Sequence, residues 1–144
     1  MIKSKEELVS IVDSIPRIEA TLRRTAEWGD SSVFSHQNTC LYYQMAGSSY
    51  LKLIQFCNQD ENSYFKLSNS YRRYKQEIGT AENDIYTLPP FKEVVTRCDE
   101  YIKNSLLIAN KHLEITHPLR LLCVYSTCEV LCVLRQAHAK ARCI

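Results

Sequence analysis

Turn-forming residues are scarce in this chain: three glycines and four prolines in 144 residues favour long helices over many tight turns. No apolar stretch approaches the roughly 20 residues that span a bilayer. Lys3, Lys5, Glu6 and Glu7 stand where a signal peptide needs an apolar segment, so a cytoplasmic protein without a membrane partner is expected. Charge of one sign is lacking as well. The 18 basic and 16 acidic residues leave a formal +2, too little to indicate a nucleic-acid partner. Seven cysteines make an odd count with no CxxC pair, which suggests neither a disulfide framework nor a zinc knuckle, and they are read as reduced. A Gly-rich phosphate loop, a paired acidic motif and metal-ligand spacing are all missing, so no cofactor or metal is expected.

What is present is helical periodicity. With 45% hydrophobic and 24% charged residues, the composition is that of a globular protein. The length gives a prior of one domain, 1–144. Leu8, Ile11, Val12, Ile15, Ile18 and Leu22 have helical spacing behind Ser4 as N-cap. Pro16 interrupts this run at a cost of roughly 3 kcal/mol, which predicts a kink or a junction of two helices near Ser14. The polar stretch 29–38 reads as a turn, followed by a second helix over Cys40–Cys57 and a polar break at 58–62. A third helix reaches Ile78, and a Gly- and Pro-containing surface loop covers 79–90. A fourth helix spans Phe91–His112 with a wide apolar stripe. A fifth starts from Thr116 as N-cap, with Pro118 in its first turn. From Leu121 to Leu134 nearly every side of that helix is apolar, which predicts enclosure on most faces. The fold class expected is an all-α bundle of antiparallel helices.

Within Ser63-Tyr-Phe-Lys-Leu-Ser-Asn-Ser-Tyr-Arg-Arg-Tyr-Lys-Gln-Glu-Ile78, helical spacing brings Lys66, Arg73 and Tyr74 within reach of one another. A phosphoserine carries about −1.5 to −2 charge and three strong acceptors, and a guanidinium offers donors in a matching fork. Glu77, four residues after Arg73, can orient that guanidinium. Taken alone, such a run is more often a solvated face with aromatic shoulders. A second segment, Thr116-His-Pro-Leu-Arg-Leu-Leu-Cys-Val-Tyr-Ser-Thr-Cys-Glu-Val130, changes the reading.

The two segments resemble, in order, helix E and the Thr-His-Pro-Ile-Arg start of helix G of the 14-3-3 proteins. The stretch Val94–His112 fits the family's helix F register between them. The resemblance covers 63–78 and 94–144, ending in the loop and opening turns of the family's next helix at 135–144. Residues 1–62 match poorly, and 79–92 is longer than the family's connection.

The resemblance implies a non-catalytic adaptor that binds phosphoserine or phosphothreonine peptides of partner proteins. It places Arg73 and Tyr74 at the family's phosphate-binding Arg-Tyr pair and Lys66 at a groove lysine. Arg24 and Arg17 have the spacing of the family's second basic pair, although a solvated helix face accounts for them equally well. Ser126 and Tyr125 stand where the family has a peptide-binding Asn and a groove Leu, and a serine's single donor weakens that clamp. Homodimerisation through the N-terminal helices, here Leu8–Leu22, is also implied. The groove residues of the family's final helices have no counterpart, which implies half a groove or a piece of a longer chain.

Three other readings compete. The helices can serve as an interaction scaffold that has lost phosphopeptide binding. Catalysis would need Cys128 or Cys132 with His138, but thiols in so apolar a helix stay protonated and inert. A Tyr71–Lys75 stacking platform for single-stranded nucleic acid is disfavoured by the weak net charge.

Overall fold

A computed structural model describes the backbone of residues 4–28 and 33–142, and side chains over 4–25 and 35–135. Five α-helices make up the described chain: α1 (Lys5–Trp28), α2 (Val33–Phe56), α3 (Glu61–Glu77), α4 (Phe91–His112) and α5 (Pro118–Arg142). A single 3-10 turn, Glu82–Asp84, interrupts the α3–α4 connection, and there is no strand among the described residues. The fold is an all-α helical bundle.

Core contacts give the directions of the helices. Early α1 residues (Leu8, Val12, Ile15) share a cluster with late α2 residues (Tyr50, Ile54, Cys57), whereas Ile18 and Leu22 pack with Ala46. The two helices are therefore antiparallel. In α2 and α4, Cys40 meets the Ser105 carbonyl while Tyr50 meets Arg97, again antiparallel. In α4 and α5, Leu113 packs near Leu119 while Val94 lies in a cluster with Val133, with the same result.

Ser4 caps α1, its hydroxyl accepting from the Glu7 amide at 3.1 Å. The helix passes through Pro16 unbroken. The ring removes the amide that would bond the Val12 carbonyl, but Ile15 and Ile18 on either side are buried, so packing holds the segment helical. The whole Leu8–Leu22 stripe is consumed in the chain's own core, with exposures of 8% or less at Leu8, Val12, Ile15, Ile18 and Leu22.

Two expected boundaries move. Helix α2 begins at Val33, and the polar residues 35–38 read as a turn are helical and half-buried. His36 stacks flat on His112 of α4 with centroids 3.6 Å apart, which gives that polar turn a packing partner. At α5 the first helical residue is Pro118, and the cap is His117 in place of Thr116. The Leu119 amide donates to His117 Nδ1 at 3.1 Å, and the His117 carbonyl takes the first intrahelical bond, from Leu121. The ends of α3 follow their sequence signals. Asp60 caps α3 by accepting from the Ser63 amide at 2.9 Å. Gly79, with φ of 84°, closes the same helix as Thr80 N–H reaches back to the Lys75 carbonyl.

Helix α5 departs furthest from expectation. Leu119, Cys123, Ser126, Val130 and Val133 are buried, but Leu121, Leu122, Val124, Tyr125 and Leu131 are exposed. The helix is covered on one side only. It also runs on to Arg142 where a loop was expected after Leu134, since Gln136–Arg142 contains alanine, lysine and arginine and no Gly or Pro.

Cys128 and Cys132 share the open side of α5, whereas Cys40, Cys57, Cys98 and Cys123 are buried. Burial pushes the Cys98 thiol up to about 12. Of these six thiols, Cys128 and Cys132 should alkylate rapidly in native protein and the buried four only on unfolding. Peptide mapping after a short iodoacetamide pulse checks this, and equal labelling of Cys98 and Cys128 would contradict the packing of α5.

Candidate functional site on α3

Helix α3 turns Tyr64, Leu67 and Tyr71 into the core. At 100° per residue, Lys66, Arg73 and Glu77 fall on the opposite side, and all three are exposed. Lys66 and Arg73 are separated by two turns, about 10.5 Å of rise, so both side chains can reach one anion lying along the helix.

The other α3 cations are committed. Arg72 forms an ion pair with Glu82 of the following loop. Lys75 Nζ lies 2.9 Å from Asp13 Oδ2 on α1, and the Tyr71 hydroxyl donates to the other oxygen of that carboxylate. Lys66 and Arg73 have no hydrogen bond or ion pair among the described residues, and Glu77 makes none with Arg73. The guanidinium fork of Arg73 is open to a ligand.

Tyr74 is half-buried on the shoulder of this stripe, with the Lys5 ammonium 5.8 Å from its ring centroid. Sequence reasoning gave Lys5 no role because its contact with Tyr74 joins two helices. Arg17 and Arg24 are exposed on α1. Arg17 lies one turn beyond Asp13, which pairs with Lys75 of α3, and Arg24 two turns further, with Nη2 3.5 Å from the Thr21 hydroxyl of the same helix. No contact joins either of them to Arg73.

Ser126 stands apart from this group. It is 5% exposed and accepts from Gln44 Nε2 on α2 at 3.2 Å, so it faces the inside of the bundle. Tyr125 is its opposite, 65% exposed on the outer side of α5. The structure therefore gathers Lys66, Arg73, Glu77 and Tyr74 on α3, with Lys5 beside them, sets Arg17 and Arg24 on the neighbouring helix, and leaves Ser126 inside the bundle.

The chain matches no family model, no curated protein and no solved structure.

A second polar centre, unforeseen from the sequence, surrounds Glu19. Its carboxylate is 6% exposed and accepts from the hydroxyls of Tyr50 at 2.9 Å, Tyr101 at 2.5 Å and Tyr86 at 3.4 Å. Arg97 Nη1 donates to it at 3.2 Å, and Arg97 Nη2 donates to Glu93 at 2.7 Å. Burial pushes the Tyr50 and Tyr101 phenols up, so both remain protonated donors. Of this group, Glu19, Tyr86, Glu93 and Arg97 line a cleft of about 420 Å³ between α1, the 86–90 segment and the start of α4. Two carboxylates already neutralise Arg97, so the cleft has no net positive field from it. The signal was a glutamate one turn after Ile15 in an otherwise apolar stripe. Among the described residues, no cluster of three or more His, Cys, Asp or Glu groups is placed to hold a metal.

Proposed function

We propose that this protein is a non-catalytic adaptor that binds phosphoserine- or phosphothreonine-containing segments of partner proteins, with Arg73 as the principal phosphate ligand. The observation that carries this reading is the uncommitted state of Arg73 and Lys66 on a helix whose other cations are paired. The resemblance of residues 63–78 and 94–144 to the 14-3-3 family supports it. In this reading Arg73 offers a bidentate fork, Lys66 a point charge two turns earlier and Tyr74 a neutral hydroxyl. Arg17 and Arg24 on α1, with Lys5, extend the positive field along the peptide.

The peptide backbone must be held without Ser126, whose hydroxyl is bonded to Gln44. That observation favours a second reading, a helical scaffold of the same type that binds partners regardless of phosphate.

Arg73 separates the two. A charge-assisted bidentate contact contributes about 1.5–3 kcal/mol, so Arg73→Ala should weaken phosphopeptide binding about 10- to 100-fold. Arg73→Lys should recover part of the loss, because it restores charge without the fork. Isothermal titration with phosphorylated peptides reads the effect, and circular dichroism checks that helicity is retained. Equal affinity of Arg73→Ala and wild type would remove Arg73 from the site.

A further inference from the structure

Two of the buried thiols meet across a helix interface. Cys40 of α2 and Cys123 of α5, 83 residues apart in the chain, have their Sγ atoms 3.5 Å apart in a thiol–thiol hydrogen bond. Among the described residues no other two cysteines are joined in this way. Cys57 and Cys98 donate to the backbone carbonyls of Ile54 and Gly47 instead. We propose that Cys40 and Cys123 form an oxidative modification site, a dithiol that hydrogen peroxide converts to a disulfide linking α2 to α5.

The two thiols are free and already in contact, so forming a bond of about 2 Å needs the sulfurs to close by about 1.5 Å. Their register is held from nearby. One turn further along both helices, Gln44 of α2 donates to Ser126 of α5, so the two helices run parallel at this seam. The sulfurs are chemically unequal. The hydrogen bond from Cys40 holds the Cys123 thiol below its ordinary value against the opposing effect of burial, and the Ser105 hydroxyl adds to the lowering. The same thiol contact, together with burial, pushes Cys40 up. Cys123 therefore supplies the attacking thiolate and Cys40 the resolving thiol.

The Cys123 sulfur attacks one oxygen of the peroxide, the O–O bond breaks, and hydroxide leaves to take up the proton the thiol has lost. The Cys40 sulfur then attacks the resulting sulfenic sulfur. Its own proton goes to the departing oxygen, and a second water leaves as the S–S bond forms. The two sulfurs lose two electrons and the peroxide gains them. Position favours this pair over the other buried thiols. Cys40 and Cys123 belong to a small cluster with Ala109, Leu113 and Leu119 where α4 passes into α5, whereas Cys57 and Cys98 lie in the main core. A small cluster at one end of the bundle opens locally at less cost than the whole fold. Peroxide, little larger than water, also needs less room than an alkylating reagent.

Treatment of the full chain with excess hydrogen peroxide tests the proposal, in a Cys128→Ser, Cys132→Ser, Cys143→Ser background that leaves Cys40, Cys57, Cys98 and Cys123. After quenching with catalase, unfolding and N-ethylmaleimide labelling, mass spectrometry should find a peptide linked through Cys40 and Cys123, with Cys57 and Cys98 fully labelled. The bridge closes a loop of 83 residues, so Tm should rise by roughly 10 °C and return on reduction with dithiothreitol. In a Cys40→Ala variant of the same background, Cys123 should gain an oxygen, with no disulfide and no rise in Tm. Four free thiols after peroxide treatment overturn the proposal. Oxidation of Cys57 or Cys98 as fast as that of the pair overturns it equally, because general unfolding would then control the reaction.

Discussion

Glu19→Ala should destabilise the protein by about 3–5 kcal/mol, the cost of removing one partner from a buried ion pair. At about 2–4 °C per kcal/mol for a chain of this size, Tm should fall by roughly 10 °C or more. The carboxylate is the common acceptor of Tyr50, Tyr86, Tyr101 and Arg97, contributed by α2, the α3–α4 connection and α4. Without it, three phenol hydroxyls lose their acceptor and Arg97 keeps only Glu93 and Tyr50. Burial works against the charge of Arg97, and the contacts with Tyr50 and Glu93 more than offset that effect. The double variant Glu19→Leu with Arg97→Met should recover much of the loss, because it removes both charges together. Thermal denaturation of the two variants beside wild type decides the matter. A Glu19→Ala protein within about 1 kcal/mol of wild type would show that the network is not a structural centre.

Gly47→Val should lower stability by about 3 kcal/mol, at the upper end of what overpacking costs. Gly47 lies where α2 crosses α4. A Cβ there would sit 2.6 Å from both Cγ1 and Cδ1 of Ile102 and 3.3 Å from the Ile102 amide nitrogen. Cγ1 is not the free end of a flexible chain, and the backbone nitrogen cannot step aside. Gly47→Ala gains up to about 1 kcal/mol of helix propensity, so its net loss should be smaller than that of valine. The contact predicts coupling. Ile102→Ala should cost less in the Gly47→Ala background than in wild type, because the truncation then relieves a clash as well as opening a cavity. Additive losses in chemical denaturation would place the helix crossing elsewhere.

The sequence made α3 and α4 readable nearly to the residue because local signals mark their ends: Asp60 at one cap, Gly79 at a positive φ, Pro90 before Phe91. It was less informative where the deciding partner is distant. Residues 35–38 look like a turn until His36 is seen stacked on His112. Pro16 reads as a break until the buried residues around it are seen to hold one helix. An apolar helix states what can be buried, and α5 shows that it does not state how many sides find a neighbour. In the candidate site, the shared face of Lys66, Arg73 and Glu77 follows from helical spacing alone. That Arg72 and Lys75 are committed while Arg73 is not depends on Glu82 and Asp13, which spacing within α3 cannot reveal. The groove position implied for Ser126 gave no hint of Gln44, 82 residues away.

The central claim is phosphate-dependent binding, and one titration addresses it directly. A labelled peptide pool, in matched phosphorylated and unphosphorylated forms, is followed by fluorescence anisotropy as the full chain is added at low and high salt. The expected result is a preference for the phosphorylated pool of tenfold or more, reduced but not abolished by salt, since a bidentate contact is less screened than a diffuse field. Equal binding of the two pools, or a preference that vanishes entirely with salt, would contradict a phosphate reader built on Arg73.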